Sequence, residues 1–286
     1  MEFSSLKEAV ESVKREKIRG ARWSLFRISR AVIEDLEKGV LDCNSIAGAA
    51  KLIRDANKSM APLANLAYIL IEACNRSRNL KSAVENVMYH QQRSLELIIE
   101  NGRQLPDNST IATISYSSTV EAILQSTKKY NITAIVLESR PGGEGAILAA
   151  NLRDSGVKTI LLPDTMMYEA VERSDYVLVG ADAVTKDGCL INKVGTRLLA
   201  MISKMLGKPV IAVFDSMKIH PDSDCKTHVI EERSYLAAGY GPVRYPLFDL
   251  TQTEYVRAAI TEKGVIDFTP KNIRRLWSSL IEDILS

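Results

Sequence analysis

DYVLVGADAVTKDGCLINKVGT, residues 175–196, decides the reading of the fold. Tyr176 to Val179 is an apolar, β-rich run of the kind that forms a strand buried on both faces. Gly180 ends it, and Asp182 follows at the strand's carboxyl end, where ligands sit in open parallel α/β sheets. Lys186-Asp187-Gly188 reads as a turn, and Asn192-Lys193 as the opening of a helix that continues through Leu206. A carboxylate at a strand tip, facing an amide and an ammonium at a helix start, suits a hydroxylated, phosphorylated small molecule. Singly, these residues are a turn aspartate and a helix-capping asparagine. Together with the glycines the run is more specific.

Working outward, β-type runs alternate with helical stretches. The strands are expected at Thr110–Ile114, Thr133–Leu137, Thr159–Leu162, Tyr176–Val179 and Pro209–Phe214, with helices around 119–128, 144–155, 165–173 and 193–206. That alternation predicts a doubly wound parallel sheet. A further helix is expected near Thr253–Ile260, and a last one from Pro270, with proline at a helix start. Upstream, the period is helical throughout. Pro62 is the only proline in the first hundred residues, and Ser82 to Glu85 has capping-box spacing ahead of a long amphipathic stretch. The loop residues Gly102 to Asn108 separate the two regimes. The chain therefore reads as an all-helical domain over 1–105 and an α/β domain over 106–286.

Lys plus Arg number 37 against 35 Asp plus Glu, which gives no direct signal for nucleic acid or an acidic membrane surface. No apolar run approaches the ~18 residues that span a bilayer. The first residues read as a charged helix rather than a signal peptide. Cys43, Cys74, Cys189 and Cys225 are scattered without CxxC spacing, and the histidines are only His90, His220 and His228. A soluble, reducing, cytoplasmic setting is expected, with no membrane, no metal site and no cofactor.

Several further stretches bear on chemistry. Residues 138–145, ESRPGGEG, link a strand to a helix, and their glycines allow close backbone approach to an anion. Read as a dinucleotide fingerprint, Leu148 stands where the third glycine belongs, with Asp164 at the distance of a ribose contact. A phosphate or sugar loop fits better, and a plain tight turn is the simplest alternative. The hydroxyls of Thr113 to Thr119 leave a strand and enter a helix; one serine is an ordinary N-cap, and others can hydrogen-bond a phosphate. Arg19-Gly20-Ala21 lies in a basic run that reads first as a solvated helix pair broken at Gly20, and second as a phosphate contact. Lys218, in KIHP after the fifth strand, is either a surface lysine or a partner for a second phosphate. Phe248-Asp249 reads as a loop staple and cap.

In this order, the pieces resemble the family that unites the alpha, beta and delta regulatory subunits of translation initiation factor 2B with sugar-1-phosphate aldose–ketose isomerases. The resemblance rests on IRGA at 18–21, ESRPGGEGA at 138–146, VGADAV at 179–184, INKVGT at 191–196, and the KIHP and FDLTQTEY segments. It implies a helical amino-terminal domain, a Rossmann-like carboxyl-terminal domain and a homodimer. It also implies ligand-binding roles for Arg19, Gly20, Ala21, Ser117, Arg140, Asn192, Lys193 and Lys218. The family's isomerases use a cysteine in a THCN-like motif and the aspartate of GAD as acid/base pair. Asp182 matches the aspartate, whereas Ile114, Ser115 and Tyr116 replace the His, Cys and Asn. A serine hydroxyl is a far weaker acid than a thiol near pKa 8.5. Cys189 is a conceivable substitute thiol, with a packing role the better reading.

The implied function is that of a non-catalytic, factor-2B-subunit-like protein with a retained pocket for a sugar phosphate or nucleotide. Initiation factor 2 or other factor-2B-like subunits are the implied protein partners. The alternative is an isomerase acting on a sugar 1-phosphate, foremost ribose 1,5-bisphosphate, with Asp182 and Ser115 as the catalytic pair. A nicotinamide oxidoreductase and a purely structural subunit are the more distant classes.

Overall fold

Apolar residues at three- and four-residue spacing produce the five amino-terminal helices. These are α1 (Ser4–Arg15), α2 (Ala21–Glu37), α3 (Ile46–Ala56), α4 (Ala61–Asn75) and α5 (Leu80–Gly102). The computed structural model describes residues 4–16, 20–127 and 131–286. Leu6 and Val10 of α1, Ile28 and Val32 of α2, and Ile53 of α3 pack around α4. In α4 Leu63, Leu66, Ile69 and Leu70 are all buried, so this helix is the centre of the bundle. Asn79 caps α5, its side chain accepting from the Ser82 N–H at 2.9 Å. The helix thus begins ahead of the expected Ser82 capping box.

The second half is built on β1 (Thr110–Ile114), β2 (Thr133–Leu137), β3 (Lys158–Leu162), β4 (Tyr176–Gly180) and β7 (Val210–Val213). The intervening helices are α6 (Ser118–Ser126), α7 (Glu144–Asp154), α8 (Met167–Glu172) and α9 (Thr196–Met205). The chain adds β11 (Ala258–Thr261) and β12 (Gly264–Asp267) to give a seven-stranded sheet in the order β12-β11-β7-β4-β1-β2-β3. All pairs are parallel except β11 with β12. It is the expected doubly wound, Rossmann-like sheet. Alternate residues of β4 serve opposite cores: Val177 and Val179 face α8 and α9, while Tyr176 and Leu178 face α6 and α7.

Two expectations are corrected. Asn192 and Lys193 do not open a helix; they end the strand β6 (Leu190–Lys193), and α9 starts only at Thr196. Strand β6 lies between β5 (Ala183–Val184) and β10 (Phe248–Thr251) in a small antiparallel sheet, which claims the run that local pattern left ambiguous. Gly195, at φ 103°, makes the turn into α9. The helix expected near Thr253–Ile260 is instead a single 3-10 turn, Thr253–Tyr255, followed by β11. The short apolar run there extends the sheet beside β7. Strands β8 (Glu232–Ala237) and β9 (Gly241–Pro246) form a separate hairpin.

The last helix, α10 (Pro270–Leu285), starts at the expected proline and joins the two halves. Its Ile273 and Leu276 pack on the sheet core, and Leu280, Ile281 and Ile284 on the helical core. The scattered cysteines meet in two disulfides, Cys43–Cys74 and Cys189–Cys225, with Cα–Cα distances of 5.6 and 5.5 Å. Separations of 31 and 36 residues carry no local signal of pairing, and the expected reducing setting and the substitute thiol at Cys189 both assumed free cysteines. Among the described residues, no helix is long and apolar enough to cross a membrane.

Candidate functional site

Strand order reverses between β1 and β4, which are neighbours in the sheet although β2 and β3 intervene in sequence. The loops leaving those strands part there and open a crevice, the usual ligand position in such sheets. A cavity of about 440 Å³ occupies it, a size suited to a small molecule. The loop after β1 and the start of α6 supply Tyr116 to Thr119, and the loop after β4 supplies Ala181 and Asp182. The turn after β7 adds Asp215 and Lys218, strand β6 adds Asn192, and the start of α2 closes the cavity with Gly20 to Trp23.

Ser117 is the N-cap of α6, its hydroxyl accepting from the Val120 N–H at 3.4 Å. The close packing here depends on Gly180, because a Cβ at that position would lie 2.6 Å from the Ser117 hydroxyl. The dipole of α6 favours an anion at this end. Asp182 is half-buried, and its backbone N–H donates to Ile191 at 2.8 Å. Among the described residues nothing hydrogen-bonds its carboxylate. Desolvation raises its pKa above the ordinary aspartate value, with the charges of Lys218 and Lys193 opposing that rise. Lys218 makes no ion pair with any described residue. A desolvated carboxyl and an ammonium with no ion-pair partner among the described residues therefore face one cavity.

Of the residues expected from sequence, the structure brings Gly20, Ala21, Ser117, Asp182, Asn192 and Lys218 to this cavity. Arg19 lies outside the described residues. Ser115, Arg140 and Lys193 do not line it. Ser115 is buried at φ 69°, and its N–H donates to the Ser139 hydroxyl at 2.6 Å. Lys193 follows Asn192 along a strand, so the two side chains leave on opposite faces. Asn192 turns to the cavity and donates to the Thr196 hydroxyl at 3.0 Å, while Lys193 is buried in an ion pair with Glu144. Arg140 is exposed beside Glu138 at 3.2 Å. Asp164 is no ribose ligand either, since its carboxylate accepts the N–H groups of Ser139 at 2.8 Å and Arg140 at 2.6 Å.

Sequence reasoning missed Trp23, Phe214 and Asp215 as lining residues, and gave Tyr116 only as a replaced asparagine. The Tyr116 hydroxyl donates to Glu121 at 2.8 Å. Position after a strand end was a usable signal for Phe214 and Asp215; for Trp23, one turn into a helix of the other half, there was none. Asp249 caps α9 from a distance, accepting from Gly195 at 2.8 Å and from Arg197 at 3.1 Å. Burial pushes its carboxyl up to about 6 against those hydrogen bonds.

The family model described as "Initiation factor 2 subunit family" matches residues 43–268. A Pyrococcus horikoshii protein named as an eIF-2B subunit 2-like translation initiation factor is 34% identical over 93% of this chain and 98% of its own. The ribose 1,5-bisphosphate isomerase of Methanocaldococcus jannaschii is 28% identical over 93% of this chain and 92% of that protein. Among solved structures, the translation initiation factor eIF-2B of Pyrococcus horikoshii OT3 superposes with a TM-score of 0.82 at 30% identity. It covers 94% of this chain and 99% of that one.

Proposed function

The chain belongs to the Initiation factor 2 subunit family, and on that premise we propose that it is a regulatory-subunit-like protein that binds a sugar phosphate or nucleotide without turning it over. One observation carries the non-catalytic part. Ser115, at the position of the isomerases' cysteine, is buried with its backbone tied to Ser139 and does not line the cavity. The anion-holding parts, in contrast, converge on it: the N-cap Ser117, Lys218, which makes no ion pair among the described residues, Asn192 and the Gly20–Ala21 segment. Likeness to both the subunit-like protein and the isomerase supports a shared ligand class.

Phosphorus NMR of the protein with ribose 1,5-bisphosphate, alongside calorimetric titration, tests the reading. Binding without a ketose product is expected, and Ser115→Cys is expected to stay inactive because residue 115 is buried and does not line the cavity. Ketose formed by the unmodified protein overturns the non-catalytic reading. The second reading, an aldose–ketose isomerase, draws on the raised pKa of Asp182, which suits a group that shuttles a proton between adjacent carbons. Asp182→Asn would then abolish turnover and leave binding in place.

The same reading includes a homodimer and association with initiation factor 2 or other factor-2B-like subunits. Tyr168 on α8 and Leu198, Met201 and Met205 on the adjacent α9 form an exposed apolar face, Met205 being 67% accessible. Light scattering is expected to report a dimer, and Met205→Glu a monomer.

A further inference from the structure

Lys218 reaches the cavity on the short turn Asp215–Ile219, whose own hydrogen bonds are three: Lys218 N–H to the Asp215 carbonyl at 2.9 Å, Ile219 N–H to Ser216 at 3.0 Å and Met217 N–H to the Asp215 carboxylate at 3.1 Å. The turn is tied to both halves of the molecule. Asn65 of α4 is fully buried, and its amide nitrogen donates to the carbonyls of Met217 at 2.8 Å and Ile219 at 2.6 Å. Those two carbonyls flank Lys218. The Asn65 oxygen accepts from the Trp277 indole N–H of α10 at 2.8 Å. On the turn's other side Glu262 accepts from the Ser216 N–H at 3.1 Å and from its hydroxyl, which also meets His90 of α5 at 3.3 Å.

The other buried side chains of α4 are apolar: Leu63, Leu66, Ile69 and Leu70 all belong to the helical core. One buried amide among them, both donors and its acceptor engaged, has a different task. A buried amide with every group satisfied resists displacement, because any shift strands a polar atom. Lysine is a point charge on a flexible stem, so where its ammonium can reach is set by the backbone that carries it. We infer that Asn65 is a positioning residue for ligand binding: from the helical half it fixes the backbone on both sides of Lys218 and so sets that ammonium against the ligand's phosphate. The ligand arm of this inference rests on the pocket reading above; the anchoring arm does not.

The experiment has both arms. Amide hydrogen exchange is followed without ligand in Asn65→Ala and in Trp277→Phe, which keeps a ring but removes the donor that orients the Asn65 amide. Exchange at residues 215–219 is expected to quicken at least about tenfold, with the β1–β4 strands unchanged. Calorimetry with ribose 1,5-bisphosphate is then run on Asn65→Ala, Lys218→Ala and the double variant. Asn65→Ala is expected to weaken binding about tenfold alone and less than about twofold in the Lys218→Ala background, the non-additivity of a residue that acts through another. Unchanged exchange at the turn overturns the inference, and so does an equal loss of affinity in both backgrounds. Should Asn65→Ala not fold, Trp277→Phe carries both arms. If the unmodified protein binds no sugar phosphate, the pocket reading fails separately, and the exchange data still decide whether Asn65 anchors the turn.

Discussion

The loop after β2 and the turn after β7 both place a basic residue at a strand's carboxyl end, and the fold treats them in opposite ways. In the first, Arg140 lies against Glu138, the backbone of Ser139 and Arg140 is held by Asp164, and Glu144 of the following helix is taken by Lys193. In the second, the backbone is anchored by Asn65 and Glu262 while the Lys218 ammonium is left without a described ion-pair partner. In the first loop the charged groups are largely taken up by one another. A rigid turn that leaves one charge unmet is where an anion stands to gain most.

The contrast can be broken at several points. The largest effect is expected at Gly145 in the first loop, where an added Cβ would lie 1.8 Å from the Leu137 carbonyl oxygen. Gly145→Ala should cost more than about 3 kcal/mol by urea denaturation, since backbone must move on both sides. A small loss would mean the loop is looser than its hydrogen bonds imply.

Next comes His220, two residues beyond Lys218. It is buried, its Nδ1 accepts the N–H groups of Asp222 at 3.1 Å and Ser223 at 3.0 Å, and desolvation, with His228 beside it, holds its pKa down to about 4. The folded protein thus binds this proton less readily than the unfolded chain, whose His titrates near 6.5. Its contribution to stability is complete above pH 6.5 and is lost as pH falls towards 4, by up to about 3 kcal/mol. Asp249, raised to about 6, acts with the opposite sign: its contribution is complete below about pH 4 and is lost as pH rises through 6. Urea midpoints of His220→Asn and the unmodified protein should therefore be compared at each pH, and the difference between them should change only between pH 6.5 and 4.

Ligand affinity separates the two loops directly. Lys218→Ala should weaken ribose 1,5-bisphosphate binding about 10- to 100-fold, the span of a lost charge-assisted hydrogen bond, and Arg140→Ala less than about threefold. Comparable losses would erase the distinction. The smallest effect is expected at Ser117→Ala, about 1 kcal/mol of stability from the lost N-cap of α6, with a separate loss of affinity if its hydroxyl also meets the phosphate.

The candidate site was legible where a residue's role follows from where the chain has just been. Asp182 follows a buried strand, Ser117 starts a helix, and Lys218 follows another strand, so position along the chain predicts that each lines the cavity. Lys193 and Arg140 do not line the cavity, for a different reason. Whether a charged side chain is free or paired depends on what the fold sets opposite it, and Glu144 is 49 residues from Lys193. The misread at Asn192-Lys193 has the same origin: four residues of strand exist there because β10 arrives from more than fifty positions away.

Two periodicities, near 3.6 in the first hundred residues and strand–helix alternation afterwards, determined the helical half, the parallel sheet and the end of the sheet at which the candidate cavity opens. They suffice because local spacing alone decides which face of a helix or strand is apolar. Tertiary structure decided the rest: the meeting of Gly20 with Asp182, the pairing of the four cysteines, the disposal of Lys193 on Glu144, and the hold of Asn65 on the Lys218 turn from 152 and 154 residues away. Each of these is a contact between groups far apart in sequence. Its energy comes from burial and hydrogen bonding that do not exist until the chain has folded.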